Sequence, residues 1–270
     1  MLYICIPAYN EAATVGVLLW RLRSEFQGYG RDYEVLVYDD ASTDATPETL
    51  APYAEVMPLT IVRGDAQVGY AGALDRLCRA AVKRTRYPRR DALVVMQADF
   101  SDPPAHLPEL VKRFEGGADI VVAERGELRE APLAVRRLRR VAPWVLRPFV
   151  RVPGVADPLN TLRLYRISVL RDALRAAPDA PLATAAGWAA NVELLLKCAP
   201  FARRIETVAL EPRFDIRPRE TRVRPLPDTM ALLRYARSAR RTRVAAGPPP
   251  AAPAAPAERA PAAVPATPAS

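Results

Sequence analysis

Apolar residues recur along the first half of the chain in two alternating rhythms. Short runs at Leu2 to Ile6, Glu34 to Tyr38, Leu59 to Val62, Ala92 to Met96 and Asp119 to Ala123 are aliphatic and bounded by turn-forming residues. Runs of this length and composition predict strands. Between them, Val15, Leu18, Leu19, Leu22 and Phe26, and later Leu107, Leu110, Val111 and Phe114, fall at helical spacing. The alternation predicts an α/β fold in which crossover helices join parallel strands and flank a mostly parallel sheet. Two helix starts carry chemical marks, Thr46 before Pro47 and Asp102 before Pro103. In each, a capping side chain precedes proline at the first helical position.

Beyond Ala123 the pattern weakens into an arginine-rich segment, followed by helices expected around Leu164 to Leu174 and around Trp188 to Ala199. From about Ala245 nearly every residue is alanine or proline, which supplies little apolar surface and breaks regular hydrogen bonding, so a disordered or extended tail is expected. The chain thus divides into a main domain over 1–225, a basic amphipathic helical segment over 226–244 and an Ala/Pro-rich tail over 245–270. No internal repeat is present.

At 270 residues and 50% hydrophobic composition, the chain can bury one substantial core. No apolar stretch reaches the roughly 18 to 20 residues that span a bilayer, and the start reads as a strand, not as a basic and then apolar leader. Secretion and membrane spanning are therefore not expected. Cys5, Cys78 and Cys198 lack metal-type spacing and are read as reduced core residues of a cytoplasmic protein. Net charge is +9. The stretch Arg136 to Arg151 holds six arginines and no acid, and Arg213 to Arg243 holds ten against Asp215, Glu220 and Asp228. Phosphates, an anionic lipid surface or nucleic acid all answer to such charge. The basic stretches lack aromatic interleaving suited to base stacking, so no nucleic-acid partner is expected.

Ligands of an open parallel sheet bind beyond the carboxyl ends of its strands. There the sequence places "PAYNEA" (Pro7 to Ala12), "DDASTD" (Asp39 to Asp44) and "QADFSDPP" (Gln97 to Pro104). Alone, "DDASTD" reads equally well as turn and capping chemistry. Three polar, carboxylate-bearing turns from separate strands converge on one crevice. His106, the single histidine, falls on the helix after the proline pair and reads as a surface residue.

In these motifs the chain, over about residues 2 to 222, resembles the family-2 glycosyltransferases, within them the dolichyl-phosphate mannose synthase-like or polyprenyl-phosphate glycosyltransferase branch. The resemblance implies a GT-A-type, Rossmann-like domain with a basic C-terminal extension. It implies nucleotide contacts from Pro7, Ala8, Tyr9 and Glu11, and base and ribose contacts from Asp39 and Asp40. The family's Asp-x-Asp motif falls on Gln97, Ala98 and Asp99, with Pro103 and Pro104 as its proline pair. Asp99 is then the direct ligand of Mg2+ or Mn2+, and Gln97 offers an uncharged carbonyl where the family carries an acid. "IVVAERGE" places Arg125 near the diphosphate. "DPLNTLRLYR" matches the branch's arginine and tyrosine segment through Asp157, Arg163 and Tyr165, with Leu162 replacing an aromatic. "WAANVELLLKC" nominates Glu193. "RPRETR" matches through Arg217 and Arg222, with Arg219 where glycine is usual. "QVGYAGALDR" is similar to the family's glycine-rich helix start, where Gly69 and Gly72 let backbone approach the nucleotide.

The activity implied is inverting transfer of a sugar from a GDP- or UDP-sugar to a polyprenyl phosphate at the inner face of the membrane, the protein being cytoplasmic and peripheral. An ionised acceptor phosphate needs no base, only cationic positioning, which Arg163, Arg217 and Arg222 would supply. Two rival readings keep the donor site. A soluble or glycan hydroxyl acceptor requires a carboxylate base, and Glu193 is its candidate, although a packing or salt-bridging helix residue suits the position as well. A catalytically degenerate nucleotide-sugar-binding protein follows if Gln97 cannot sustain turnover.

Overall fold

The computed structural model describes residues 1–100, 102–125 and 152–210, with isolated positions at 133, 136–137, 230–231 and 233–235. Seven strands form one sheet in the order β3-β2-β1-β4-β6-β5-β7. They are β1 (Leu2–Ala8), β2 (Tyr33–Asp39), β3 (Leu59–Arg63), β4 (Ala92–Val95), β5 (Ile120–Arg125), β6 (Arg163–Arg166) and β7 (Ile205–Leu210). The first four pair in parallel, and β6 runs antiparallel between β4 and β5. Strand β7 is parallel to β5.

Both sheet faces are covered, and residues along β1 alternate between two cores. Leu2, Ile4 and Ile6 pack with Leu18, Leu22, Leu110 and Phe114 from α1 (Ala12–Phe26) and α5 (Leu107–Glu115). Tyr3 and Cys5 pack with Leu74, Leu77, Leu170 and Leu195. Those belong to α4 (Gly69–Arg84), α6 (Ile167–Ala176) and α7 (Ala189–Cys198). Two short helices, α2 (Thr46–Leu50) and α3 (Tyr53–Val56), follow β2. Cys5, Cys78 and Cys198 are free and buried. Burial pushes the Cys198 thiol up to about 12, which keeps it protonated and unreactive.

Several expectations are corrected. Residues 163–166 form β6, and the helix expected from Leu164 begins at Ile167. Leu164 enters one core and Tyr165 the other, the two-residue period of a strand, and helical spacing resumes only at Ile167, Leu170 and Ala173. Pro103 is extended, with ψ of 140°, so Pro104 opens the helical turn there. Thr46 lies inside α2, with Ala45 at its N-cap position and no side-chain cap bond to the helix. The tail and most of the basic segment over 226–244 lie outside the described residues. Within that segment Tyr235 packs against the core on the α4 and α7 side.

Candidate functional site

The carboxyl ends of β1, β2 and β3 are level, since Ala8 faces Asp39 and Asp39 faces Arg63. Met96 donates its backbone N–H to Cys5, which sets the exit of β4 beside β1. Across β4, Val95 faces Arg163 at the start of β6. One edge of the sheet therefore gathers the turns after three parallel strands and the segment leading into β6.

Each of the three turns contains a non-glycine residue in the left-handed region: Asn10 at φ 51°, Ala41 at 57° and Phe100 at 64°. Among the described residues no other non-glycine adopts positive φ. A single such residue costs about 1 to 3 kcal/mol and persists where surroundings over-determine it. For Asn10 those surroundings are visible. Its backbone N–H donates to Ser42 Oγ at 2.9 Å, and its Oδ1 accepts the Thr43 N–H at 2.8 Å. The next two amides continue the lock, Glu11 N–H to Thr46 Oγ1 at 2.8 Å and Ala12 N–H to Asp44 Oδ2 at 3.2 Å. Glu11, buried at the start of α1, accepts the Thr14 hydroxyl at 2.9 Å. Tyr9 is half-buried between Ala8 and this lock.

The acidic pair after β2 divides its labour. Asp40 accepts the Val68 N–H at 2.7 Å on Oδ1 and the Gly69 N–H at 2.8 Å on Oδ2, closing the N-terminus of α4. Gly69, at φ 77°, makes that sharp entry possible. Asp39, 1% exposed, accepts the Ser42 N–H on Oδ1 at 3.0 Å. Its Oδ2 is buried without a hydrogen bond, 3.7 Å from Arg63 Nη1. A buried carboxylate oxygen with only a cation nearby still has unused acceptor capacity.

After β4, Gln97 and Asp99 are both partly exposed and Ala98 between them is buried. Among the described residues no cluster of three or more His, Cys, Asp or Glu side chains forms a ready metal cage. One carboxylate plus one amide carbonyl suits a hard cation that takes its remaining oxygens from water and a diphosphate, the usual arrangement for Mg2+. The donor set fits such an ion in that limited sense. Ser101, the further hydroxyl that the sequence offers to such an ion, lies outside the described residues.

On the other side of the edge, the turn before β6 is stitched to the end of β5. Ala156 N–H donates to Glu124 Oε1 at 2.6 Å, and Asn160 Nδ2 donates to the Ala123 carbonyl at 2.5 Å. Asp157 Oδ1 accepts the Leu159 N–H at 3.0 Å. Arg163 is 1% exposed, and its two terminal nitrogens donate to the carbonyls of Pro158 and Asn191. It thus ties the turn to α7, and Tyr70 Oη adds a bond to Asn191 Oδ1 at 2.8 Å. Arg125 ends β5 opposite Leu210; its side chain, like Arg217 and Arg222, lies outside the described residues.

Glu193 is committed. It accepts the N–H groups of Thr184 and Ala185 at 2.7 and 2.8 Å, the Thr184 hydroxyl at 3.0 Å and Lys197 Nζ at 2.6 Å. Burial pushes its carboxyl up, but the Lys197 bond and charge and the two amides outweigh burial, so its pKa lies below the ordinary value. A general base for a hydroxyl needs the opposite shift. His106 is half-buried at the turn before α5. The site residues that sequence reasoning passed over, Ser42, Thr43, Arg63, Asn160 and Asn191, act through contacts between segments distant in sequence, as does Thr46, which was read only as a helix cap.

Residues 3–174 match the family described as glycosyl transferase family 2. The chain belongs to that family. Within glycosyl transferase family 2, it is 28% identical over 172 residues to the dolichol-phosphate mannosyltransferase of Pyrococcus furiosus, covering 62% of this chain and 46% of that one. It is 31% identical over 181 residues to the undecaprenyl-phosphate 4-deoxy-4-formamido-L-arabinose transferase of Pseudomonas fluorescens, covering 65% and 49%. The chain therefore spans about half the length of the curated relatives it matches. Among solved structures, it is similar to glucosyl-3-phosphoglycerate synthase from Mycobacterium tuberculosis bound to Mn2+, UDP-glucose and phosphoglyceric acid. The TM-score is 0.60 at 20% identity, covering 89% of this chain and 78% of that one. S. aureus TarS gives 0.54 at 16%, covering 78% and 59%. These likenesses show a GT-A-like fold, a mostly parallel sheet flanked by helices.

Proposed function

We propose that this family-2 protein moves a sugar from a GDP- or UDP-sugar to a polyprenyl phosphate, with inversion, at an anionic membrane surface. The observation that carries the donor half is the buried Asp39 Oδ2 without a hydrogen bond, in the turn after β2 that is locked to the turn after β1. An acceptor-only carboxylate favours a base that presents a ring N–H there. Uracil N3–H and guanine N1–H do so, whereas cytosine N3 and adenine N1 present lone pairs. Pro7, Ala8, Tyr9 and Glu11 would line the nucleotide from the first turn. Asp40 would contribute by holding α4, having given both oxygens to its first amides.

In the reaction, an acceptor phosphate oxygen attacks the anomeric carbon as the bond from that carbon to the donor diphosphate breaks, and the electron pair leaves with the nucleoside diphosphate. No proton need move, since the acceptor is ionised. A Mg2+ or Mn2+ held by Asp99 and Gln97 would offset the negative charge growing on the diphosphate. Arg217 and Arg222 are the residues to orient the acceptor phosphate, with Arg125 beside the donor diphosphate. Arg163 is assigned a positioning role, because both terminal nitrogens of its buried guanidinium donate to the carbonyls of Pro158 and Asn191. The names of two relatives, both polyprenyl-type phosphate transferases, support this acceptor. The committed state of Glu193 disfavours a hydroxyl acceptor.

A panel of radiolabelled nucleotide sugars, incubated with polyprenyl phosphate and extracted into organic solvent, tests the proposal. Label should enter the organic phase from a UDP- or GDP-sugar and not from CDP- or ADP-sugars. Label confined to aqueous products would establish the hydroxyl reading, and nucleotide binding without any transfer the degenerate one.

Membrane contact is a separate prediction. Among the described residues no helix is long and apolar enough to cross a membrane. The stretch Arg136 to Arg151, outside the described residues except for exposed Arg136 and Arg137, combines arginines with Trp144, Val145, Leu146 and Phe149. Each arginine near an anionic surface contributes about 1 kcal/mol. The protein should float with anionic liposomes at low salt, dissociate as salt rises, and lose binding when Trp144 and Phe149 become serine. Failure to float at low salt would remove the peripheral assignment.

A further inference from the structure

We infer that Asp44, which faces no ligand in the reading above, is a positioning residue of the donor site: one carboxylate that starts two helices and thereby holds the first turn in its strained form. The inference rests on the reading of Pro7 to Glu11 as a nucleotide contact. Oδ1 of Asp44 accepts the Thr46 N–H at 3.0 Å and the Thr46 hydroxyl at 2.5 Å, opening α2. Oδ2 accepts the Ala12 N–H at 3.2 Å, the first amide of α1. Neither helix has a cap of its own, since Glu11 and Ala45 at the N-cap positions make no side-chain cap bond. The Thr46 oxygen, fully buried, in turn accepts the Glu11 N–H. Two successive amides, Glu11 and Ala12, thus take their acceptors from the loop after β2, directly behind left-handed Asn10. Without those acceptors, α1 starts with unsatisfied amides, and only the bonds of Asn10 to Ser42 and Thr43 still oppose its relaxation.

Burial pushes the Asp44 carboxyl up, but the bonds from Thr46 and Ala12 outweigh burial and hold it below the ordinary value. The lock is therefore charged and complete throughout the neutral range, and falling pH dismantles it only in acid, as the carboxyl protonates.

The test uses the full chain and two variant sets, Asp44→Ala with Asp44→Asn, and Thr46→Val with Thr46→Ser. Calorimetry measures UDP and GDP affinity, steady-state assays measure KM for donor and for polyprenyl phosphate separately, and hydrogen exchange follows the amides of Glu11 and Ala12. Loss of a cap of this kind corresponds to about a tenfold change in an equilibrium. Asp44→Ala should weaken nucleotide affinity and raise donor KM by about tenfold, leave acceptor KM unchanged, and expose both amides. Asp44→Asn should recover part of the loss, because its NH2 opposes one of the two amide donors. Thr46→Ser should match wild type where Thr46→Val does not, a contrast that stands even if Asp44→Ala fails to fold. Exposed amides with unchanged nucleotide affinity would overturn the role of Asp44 and the donor-turn reading together. Amides that stay protected would overturn the lock alone, leaving wild-type nucleotide binding to uphold that reading. Equal rises in both KM values accompanied by a lower Tm would show a merely structural residue.

Discussion

Replacing Asp99 by alanine should lower sugar transfer about a thousandfold or more, because it removes the single carboxylate of the Gln97–Asp99 pair. Stabilising charge on a leaving diphosphate is worth several kcal/mol, and each 1.4 kcal/mol is about tenfold in rate. The side chain is partly exposed on a turn, so the fold should survive and Tm should move little. Chelation by EDTA should silence the wild type to the same degree, and Mn2+ or Mg2+ should restore it. Gln97→Asp gives the complementary result: retained transfer, and metal binding without nucleotide that is tighter than in wild type, since the site then carries a second negative charge. A wild-type rate indifferent to EDTA would remove the metal from the scheme.

The second large effect belongs to Arg163 and should appear in stability. The guanidinium is 1% exposed and bonded to two carbonyls, from the turn before β6 and from α7. Arg163→Ala leaves the partly buried Pro158 carbonyl without that donor, at about 1 to 3 kcal/mol, removes the added bond to the Asn191 carbonyl of α7, and leaves an empty volume. The ion's own burial cost is recovered, so a net loss of about 3 kcal/mol is expected, read as a lower urea midpoint at unchanged slope. Lysine should recover less than half of it, since one ammonium cannot reproduce a fork bonded to two separate carbonyls. An arginine at an open acceptor site would behave in the opposite manner, raising acceptor KM at constant midpoint. That outcome would return Arg163 to the acceptor role implied by the family resemblance.

The contrast shows which parts of the fold and site were legible in sequence. Strands β1, β2, β4 and β5 were, because burial on both faces writes continuous aliphatic runs, and β3 shows a short aliphatic run although it is half-buried to exposed at the sheet edge. So were α1 and α5, whose buried stripes repeat at helical spacing. Strand β6 was not: four residues, two of them arginines, carry too short a pattern to separate from the helix that follows at Ile167. Strand β7 escaped because Ile205, Glu206 and Thr207 are only half-buried at the sheet margin, and its run looks mixed. In the site, the turns were recognisable as a set, but not how their side chains divide. Asp39 and Asp40 are adjacent and chemically identical, yet one caps α4 and the other keeps a buried oxygen without a hydrogen bond. Nothing local distinguishes them, since the amides that decide the matter belong to Val68 and Gly69. Left-handed Asn10 is of a residue type that tolerates the conformation, whereas alanine and phenylalanine give no such sign at Ala41 and Phe100.

The antiparallel ladder from Ala92↔Arg166 to Val95↔Arg163 is the seam between the two halves of the sheet. The four parallel strands β1 to β4 all precede residue 100, whereas the partner of β4 on its far side is made only after β5 and a long arginine-rich segment. During synthesis on the ribosome, β1, β2 and β3 can therefore assemble around β4 while the other edge of β4 stays bare. An apolar, unpaired strand edge is a template for association between nascent chains. With only four residues in β4 that template is short, and the arrival of Arg163 to Arg166 closes it by pairing along that edge, after which β5 pairs with the far side of β6 and β7 with β5.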